Sequence, residues 1–213
     1  MKIAVISANL GGFEQNIVEN VKQSVEYDQF RFTDKNFPPR YNSMTPRLQA
    51  RIPKCFGWQM VPDYKYYLWV DSAAALLHKD SVKWFLEQLG DNDIAVFKHP
   101  NRKTIDEEAG YLLTRLSAKD AYITSRYDGE LLDDQMAEIN DPNLPLYGTT
   151  AFIYRDTYDV RNMLKEWWYH ISRFHTIDQI SLPYVLNQFP VKVSVIEDYI
   201  NPYFTPTRKK NRV

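Results

Sequence analysis

Short apolar runs alternate with stretches of helical period along almost the whole chain, and few architectures accommodate that alternation. Lys2 to Ala8 is an apolar run that ends in the turn residues Asn9-Leu10-Gly11-Gly12. Ile17, Val21 and Val25 recur at helical spacing up to Tyr27-Asp28, and Phe30-Arg31-Phe32 reads as a second short strand. Asn36 to Tyr41, with Pro38-Pro39, is loop. Thr45 before Pro46 reads as an N-cap with proline at the first helical position, opening a helix through Arg47, Arg51 and Lys54.

Further strands are expected at Tyr66–Val70, Ile94–Phe97, Tyr147–Tyr154 and Val191–Ile196. Helices are expected at Lys79–Leu89, Asp106–Arg115, Ala118–Ser125 and Ile177–Asn187. The clearest helix carries Val160, Met163, Leu164, Trp167, Trp168, Ile171 and Phe174 on one apolar face, which makes its tryptophans core residues. The resulting order, β-α-β-α-β-α-β-α-β-α-β, predicts an α/β sandwich with a mostly parallel central sheet of about six strands flanked by helices. Ligands of such sheets sit beyond the carboxyl ends of the strands. Here those ends are Ser7-Ala8-Asn9, Asp71-Ser72-Ala73 and Lys98-His99.

Composition removes several classes of function. The 213 residues suffice for one sizeable core. Lys and Arg total 26 against 27 Asp and Glu, a balance that argues against a nucleic-acid partner. A single cysteine, Cys55, excludes a disulfide scaffold and a cysteine zinc cluster. No apolar run exceeds five residues, so no membrane span is expected. The opening stretch is too short for a signal peptide, and a reducing, cytoplasmic location is expected. Glycine is scarce, seven in all, and neither G-x-G-x-x-G nor G-x-x-x-x-G-K-[ST] occurs. A nucleotide would have to be held by other means.

The near-zero net charge hides a partition. From Arg31 to Lys54 six cations face Asp34 alone, and four more cations lie between Arg208 and Arg212. The first segment reads either as a solvated face or as a wall for phosphate oxygens, which the planar guanidinium fork matches. Arg47 and Arg51, four residues apart, share one helix face. Asp71, at the end of the most apolar strand, suits a hard divalent cation, although an Asp there can also simply close an Asx turn. Thr176 reads as a cap that places Asp178 and Gln179 in the first turn of a helix. Asp178 there either complements the helix dipole or serves as a base or sugar-hydroxyl acceptor. His99 is the best-placed histidine, and Asp133-Asp134 point apart on a helical segment.

Taken together these residues carry a resemblance. Tyr67-Leu68-Trp69-Val70-Asp71 is one piece of it, and Ile94-Ala95-Val96-Phe97-Lys98-His99-Pro100, with Arg102 and Glu107-Glu108-Ala109, is another. Arg173-Phe174 followed by Asp178-Gln179-Ile180-Ser181, the turn Ser7 to Phe13 and the basic helix Arg47, Arg51, Lys54 complete it. The chain resembles a glycosyltransferase-like family, formerly a domain of unknown function, found in plants, bacteria and large viruses. Among its members, the N-terminal domain of a large multidomain glycosyltransferase from chlorella viruses is similar in these motifs.

The resemblance implies a GT-A-like three-layer sandwich over residues 1–204, with 205–213 a basic tail or linker to further C-terminal domains. It implies a UDP-sugar donor, Mn²⁺ or Mg²⁺ held by Asp71, and an oligosaccharide or glycoprotein acceptor. Asp71-Ser72-Ala73 departs from the family's Asp-x-Asp motif by lacking the second Asp. In this scheme Ser7, Ala8, Asn9 and Leu10 hold uracil and ribose, and Arg47, Arg51 and Lys54 face the diphosphate beside Asp71, Ser72 and Ala73. Asp178, His99 and Asp134 meet sugar hydroxyls, with Asp178 the candidate base. Gln179, Arg102, Gly148 and Thr149 are assigned to the acceptor or transferred sugar. The expected reaction moves a glucose- or rhamnose-type hexose or deoxyhexose onto a carbohydrate hydroxyl, in the synthesis of a viral or surface glycan and in the host cytoplasm if the protein is viral. A non-catalytic carbohydrate-binding module and a metal-dependent nucleotide-sugar hydrolase are the alternatives.

Overall fold

The apolar run ending at Asp71 is the centre of the molecule. A computed structural model describes residues 2–14 and 17–206. The chain runs β1 (Ile3–Asn9), β2 (Asp28–Thr33), α1 (Pro46–Met60), β3 (Tyr66–Val70), the short β4 (Ala74–Ala75), α2 (Ser81–Leu89) and β5 (Ile94–Lys98). Three helices follow, α3 (Ile105–Ser117), α4 (Ala121–Tyr127) and α5 (Leu132–Ile139). The chain then forms β6 (Tyr147–Arg155), α6 (Tyr158–Arg173), α7 (Asp178–Asn187), β7 (Val193–Ile196) and β8 (Thr205–Pro206).

Six strands form one sheet in the order β2-β1-β3-β6-β5-β7. All neighbours are parallel except those of β6, which runs against both β3 and β5. The fold is thus the α/β sandwich with a mostly parallel sheet that the element order predicts. Helices cover both faces, so every residue of β3 is buried and its side chains sort by the two-residue period of a strand. Tyr67 and Trp69 join Ile6, Phe152 and Tyr154 in the core under α1, α6 and α7. Tyr66, Leu68 and Val70 join Val5, Phe97 and Ile153 in the core under α2. A third apolar cluster, including Ile105, Leu112 and Ile139, lies within the α3–α5 segment and reaches Ile180 of α7.

α6 is the helix that periodicity predicts most clearly. The hydroxyl of Thr157 accepts from the Val160 N–H at its start, and Val160, Met163, Leu164 and Trp167 are fully buried. α1 begins as expected, with Thr45 Oγ1 accepting from Leu48 N–H and Pro46 in the first turn. Its backbone breaks at Phe56, three residues after Pro53. Just beyond, Gly57 lies so close to β1 that a Cβ there would stand 2.4 Å from Ile6 Cδ1.

Three local expectations are corrected. Residues 17–27 form no helix although Ile17, Val21 and Val25 repeat at helical spacing. Their backbone instead bonds outward, Val21 N–H to the Leu76 carbonyl and Ser24 N–H to that of Lys79, while Gln23 is anchored to the His78 carbonyl. Ile17 and Val21 remain about two-fifths exposed, so no buried apolar face existed to stabilise a helix. The helical segment expected around Asp133-Asp134 is a separate helix, Leu132–Ile139, which the expected order of elements did not include. Finally, pairing extends past residue 204, because Thr205 and Pro206 of β8 bond to β4. The rest of the basic tail, 207–213, lies outside the described residues. Among the described residues no helix is long and apolar enough to cross a membrane.

Candidate functional site

Parallel strands β1 and β3 deliver their carboxyl ends to the same edge of the sheet, and the first turn of α1 closes over them. The resulting pocket holds about 330 Å³, a size suited to a small ligand. Its floor is Ala8, Asn9 and Trp69, one rim is Asp71-Ser72-Ala73, and its wall carries Arg47, Arg51 and Arg126. Eight of the ten expected donor-binding residues line it: Ala8, Asn9, Leu10, Arg47, Arg51, Asp71, Ser72 and Ala73. Ser7 lies in a small adjoining groove with Asn20, Gln29 and Arg31, and Asn9 and Ser72 border both spaces.

The turn at the pocket mouth requires glycine. Gly11 has φ +67°, and a Cβ there would stand 2.8 Å from two ring carbons of Pro46. Its N–H donates to Asp34 Oδ1 at 2.8 Å, while Asn9 clasps the backbone of Glu14 in both directions. This fixes the loop against the start of α1.

The cationic wall differs from the expected one in a specific way. Lys54 is not at the pocket surface: its ammonium is buried, 2.6 Å from Asp178 Oδ2 and 2.8 Å from the Thr149 carbonyl. It lies one helical turn deeper than Arg51, where the sheet and α7 enclose it. Asp178 is equally buried and also faces Arg51 Nε at 3.1 Å, while its Oδ1 accepts from the Thr149 hydroxyl at 2.7 Å. Burial alone would push the Asp178 carboxyl up, but Arg51, Lys54 and the bonds from Lys54 and Thr149 outweigh it and hold the group below the usual carboxylate range. A buried carboxylate so stabilised is a weak proton acceptor. The expected base is therefore a counter-ion that fixes Lys54 and Arg51.

Arg47 is fixed the same way. It donates to Thr176 Oγ1 at 3.0 Å, to Glu130 Oε1 at 2.8 Å and to the Arg126 carbonyl, and stacks on Tyr127. Thr176 does not cap α7, whose first-turn N–H groups receive no side-chain cap; its hydroxyl instead accepts from Arg47 and donates to Glu130. His175 beside it is buried, and burial pushes its imidazole down to about 4 against the opposing pull of Glu130. Arg126 of α4 donates to the Tyr122 hydroxyl and lies 4.8 Å from the rings of both Phe13 and Tyr122.

Several expected site residues lie elsewhere. His99 lines none of this pocket. Its Nδ1 accepts the Arg102 N–H at 3.0 Å, and burial with the Arg102 charge pushes it down to about 4, which suits a neutral structural imidazole. Arg102 pairs with Glu108 and stacks on Tyr111, 4.2 Å from the ring. Asp134 is exposed on α5. Gly148 packs against Tyr199, so closely that a Cβ would come within 3.0 Å of the ring. Thr149 serves the Lys54–Asp178 pair instead of a sugar, and Gln179, whose Oε1 is buried without a partner, does not line the pocket. Phe13, Trp69, Tyr122, Arg126 and Glu130 are the site residues that sequence reasoning missed. The one available signal was the i, i+4 pair Tyr122–Arg126.

A divalent cation finds a poor donor set here. Among the described residues Asp71 is the one carboxylate lining the pocket, its Oδ1 accepts the Trp69 indole N–H at 2.7 Å, and the Lys54 ammonium stands 3.7 Å away. Ser72 and Ala73 add no carboxylate, and among the described residues no three His, Cys, Asp or Glu side chains group around a metal position. The residues do not fit a protein-held metal.

The fold is an α/β sandwich with an arginine-walled pocket at the carboxyl ends of its parallel strands, the place where such sheets take their ligands. Residues 38–201 match the family described as TOD1/MUCI70, glycosyltransferase-like domain, and the chain belongs to that family. A glycosyltransferase involved in the glycosylation of the major capsid of PBCV-1 is similar at 11% identity and TM-score 0.49, over 92% of this chain and 82% of that one. Residues 1–349 of S. aureus TarS are similar at 14% identity and TM-score 0.44, over 96% of this chain and 60% of that one. In a longer TarS structure the same chain spans 36% of the length at TM-score 0.46. No curated protein sequence matches the chain.

Proposed function

We propose that this domain is a glycosyltransferase that moves a hexose or deoxyhexose from a UDP-sugar to a hydroxyl of an oligosaccharide or glycoprotein. The observation that carries the reading is the pocket itself: three guanidinium groups facing one carboxylate at the strand ends, within the span that matches the family. In the reaction the acceptor oxygen bonds to the anomeric carbon as the bond from that carbon to the phosphate oxygen breaks. The electron pair of the broken bond stays on the diphosphate, and the proton of the acceptor hydroxyl passes to a diphosphate oxygen or to water. Charge therefore accumulates on the leaving group, and preorganised cations there lower the barrier. Arg47 and Arg51 are held in place by Glu130 and Asp178 before any ligand arrives. Asp71, about a third exposed, accepts a hydrogen bond from a hydroxyl of the ribose or the sugar.

The test is UDP release from a panel of UDP-sugars, with and without added glycans. The expected result is release that rises at least tenfold when the right acceptor is present. Equal release without acceptor would establish a hydrolase, and glycan binding with no nucleotide turnover would establish a carbohydrate-binding module.

A further inference from the structure

Charge matching around the pocket is uneven. Arg47 is paired with Glu130 and Arg51 with Asp178, and Asp71 looks onto the Lys54 ammonium. Arg126 is different. Among the described residues no carboxylate lies within ion-pair distance of it, and its Nε, like that of Arg51, is buried without a hydrogen-bond partner. Its guanidinium is held between the Phe13 and Tyr122 rings at the pocket wall, so its direction is fixed although its charge is not answered. A cation oriented by aromatic faces and left without an anion is poised for an anionic ligand.

The opposite preference holds for a divalent cation. It would enter a space walled by three guanidinium groups, with an ammonium 3.7 Å from the one lining carboxylate. Like-charge repulsion at such range is substantial even at the screened dielectric of a protein surface.

From this geometry we infer that the diphosphate of the donor is neutralised by the guanidinium groups of Arg126 and Arg51, without a protein-held divalent cation, and that Arg126 is a leaving-group-binding residue. The inference rests on the nucleotide-sugar reading above and deepens it. The second Asp that the motif at Asp71 lacks is then unnecessary, because Arg126 reaches the leaving group from α4. Asp71 keeps a hydroxyl-binding role, and its carboxylate serves the ligand and Lys54 instead of a metal.

Calorimetric titration of the protein with UDP and with GDP, once in EDTA and once in Mn²⁺, tests the inference. At least one nucleotide should bind with a dissociation constant that differs less than fivefold between the two conditions. Titration with Mn²⁺ alone should show no saturable binding. Arg126→Gln should weaken the nucleotide tenfold or more in both conditions, with the melting temperature unchanged and uridine, which has no phosphate, bound as by the wild type. Tightening of fivefold or more by Mn²⁺, or a variant that binds the nucleotide like the wild type, would overturn the inference and leave the glycosyltransferase reading standing. Failure of both nucleotides in both conditions would overturn that reading itself, and the inference with it.

Discussion

Lys54→Met should cost the domain about 3–5 kcal/mol of unfolding stability, because it leaves Asp178 ionised and buried with one of its two cations gone. The ammonium is 1% exposed and its partner is 2.6 Å away, so neither group has water to fall back on. Much of the loss is the desolvation of the stranded carboxylate, and converting that carboxylate as well should restore part of it. Lys54→Met combined with Asp178→Asn is accordingly expected to be more stable than Lys54→Met alone. Urea unfolding of the three proteins decides the matter, and a single-variant loss below about 1 kcal/mol would mean that the pair is not the buried anchor described.

Acid acts on the same pair with a definite sign. Asp178 is held below the ordinary carboxylate range in the folded state, so its contribution is full above about pH 4 and is lost as the pH falls through the folded value. His175, pushed down to about 4 by burial, adds to the loss between its ordinary value of 6.5 and 4, since the unfolded state takes up the proton first.

The largest effect on activity is expected at Arg51. Arg51→Gln should lower kcat/KM for sugar transfer by about 10²-fold, the size of losing one preorganised donor to a developing oxyanion. Arg51 both lines the pocket and faces Asp178, but Lys54 and Thr149 still hold that carboxylate in the variant. The fold should therefore survive with a smaller stability loss than Lys54→Met, since the Lys54 bond at 2.6 Å is kept, and the deficit in turnover and nucleotide affinity is read on the folded variant. Steady-state kinetics beside thermal unfolding check this. Transfer within threefold of wild type in a folded variant would take Arg51 out of the site.

Much of this could be read from periodicity. β3, α6 and the capped start of α1 follow from local pattern, and the pocket lies where the carboxyl ends of parallel strands put ligands. Arg47 and Arg51 were legible because four residues of helix set them side by side. Lys54 was not, because three further residues bring the same face beneath the surface. The carboxylate that answers it is 124 positions away in sequence. Arg126 was hidden for a related reason. α4 comes to the pocket only through tertiary packing, and the i, i+4 pair Tyr122–Arg126 marks a shared face without showing that it will meet Phe13. The helix wrongly expected at 17–27 shows the converse, a correct spacing of which only Val25 packs against the core while Ile17 and Val21 stay exposed.

A crystal soaked with UDP tests the central claim most directly. The account predicts a diphosphate within hydrogen-bonding distance of Arg51 and Arg126, with Asp71 turned toward a hydroxyl. A nucleotide bound away from this pocket, or a diphosphate held on a cation at Asp71 and out of reach of both arginines, would contradict it.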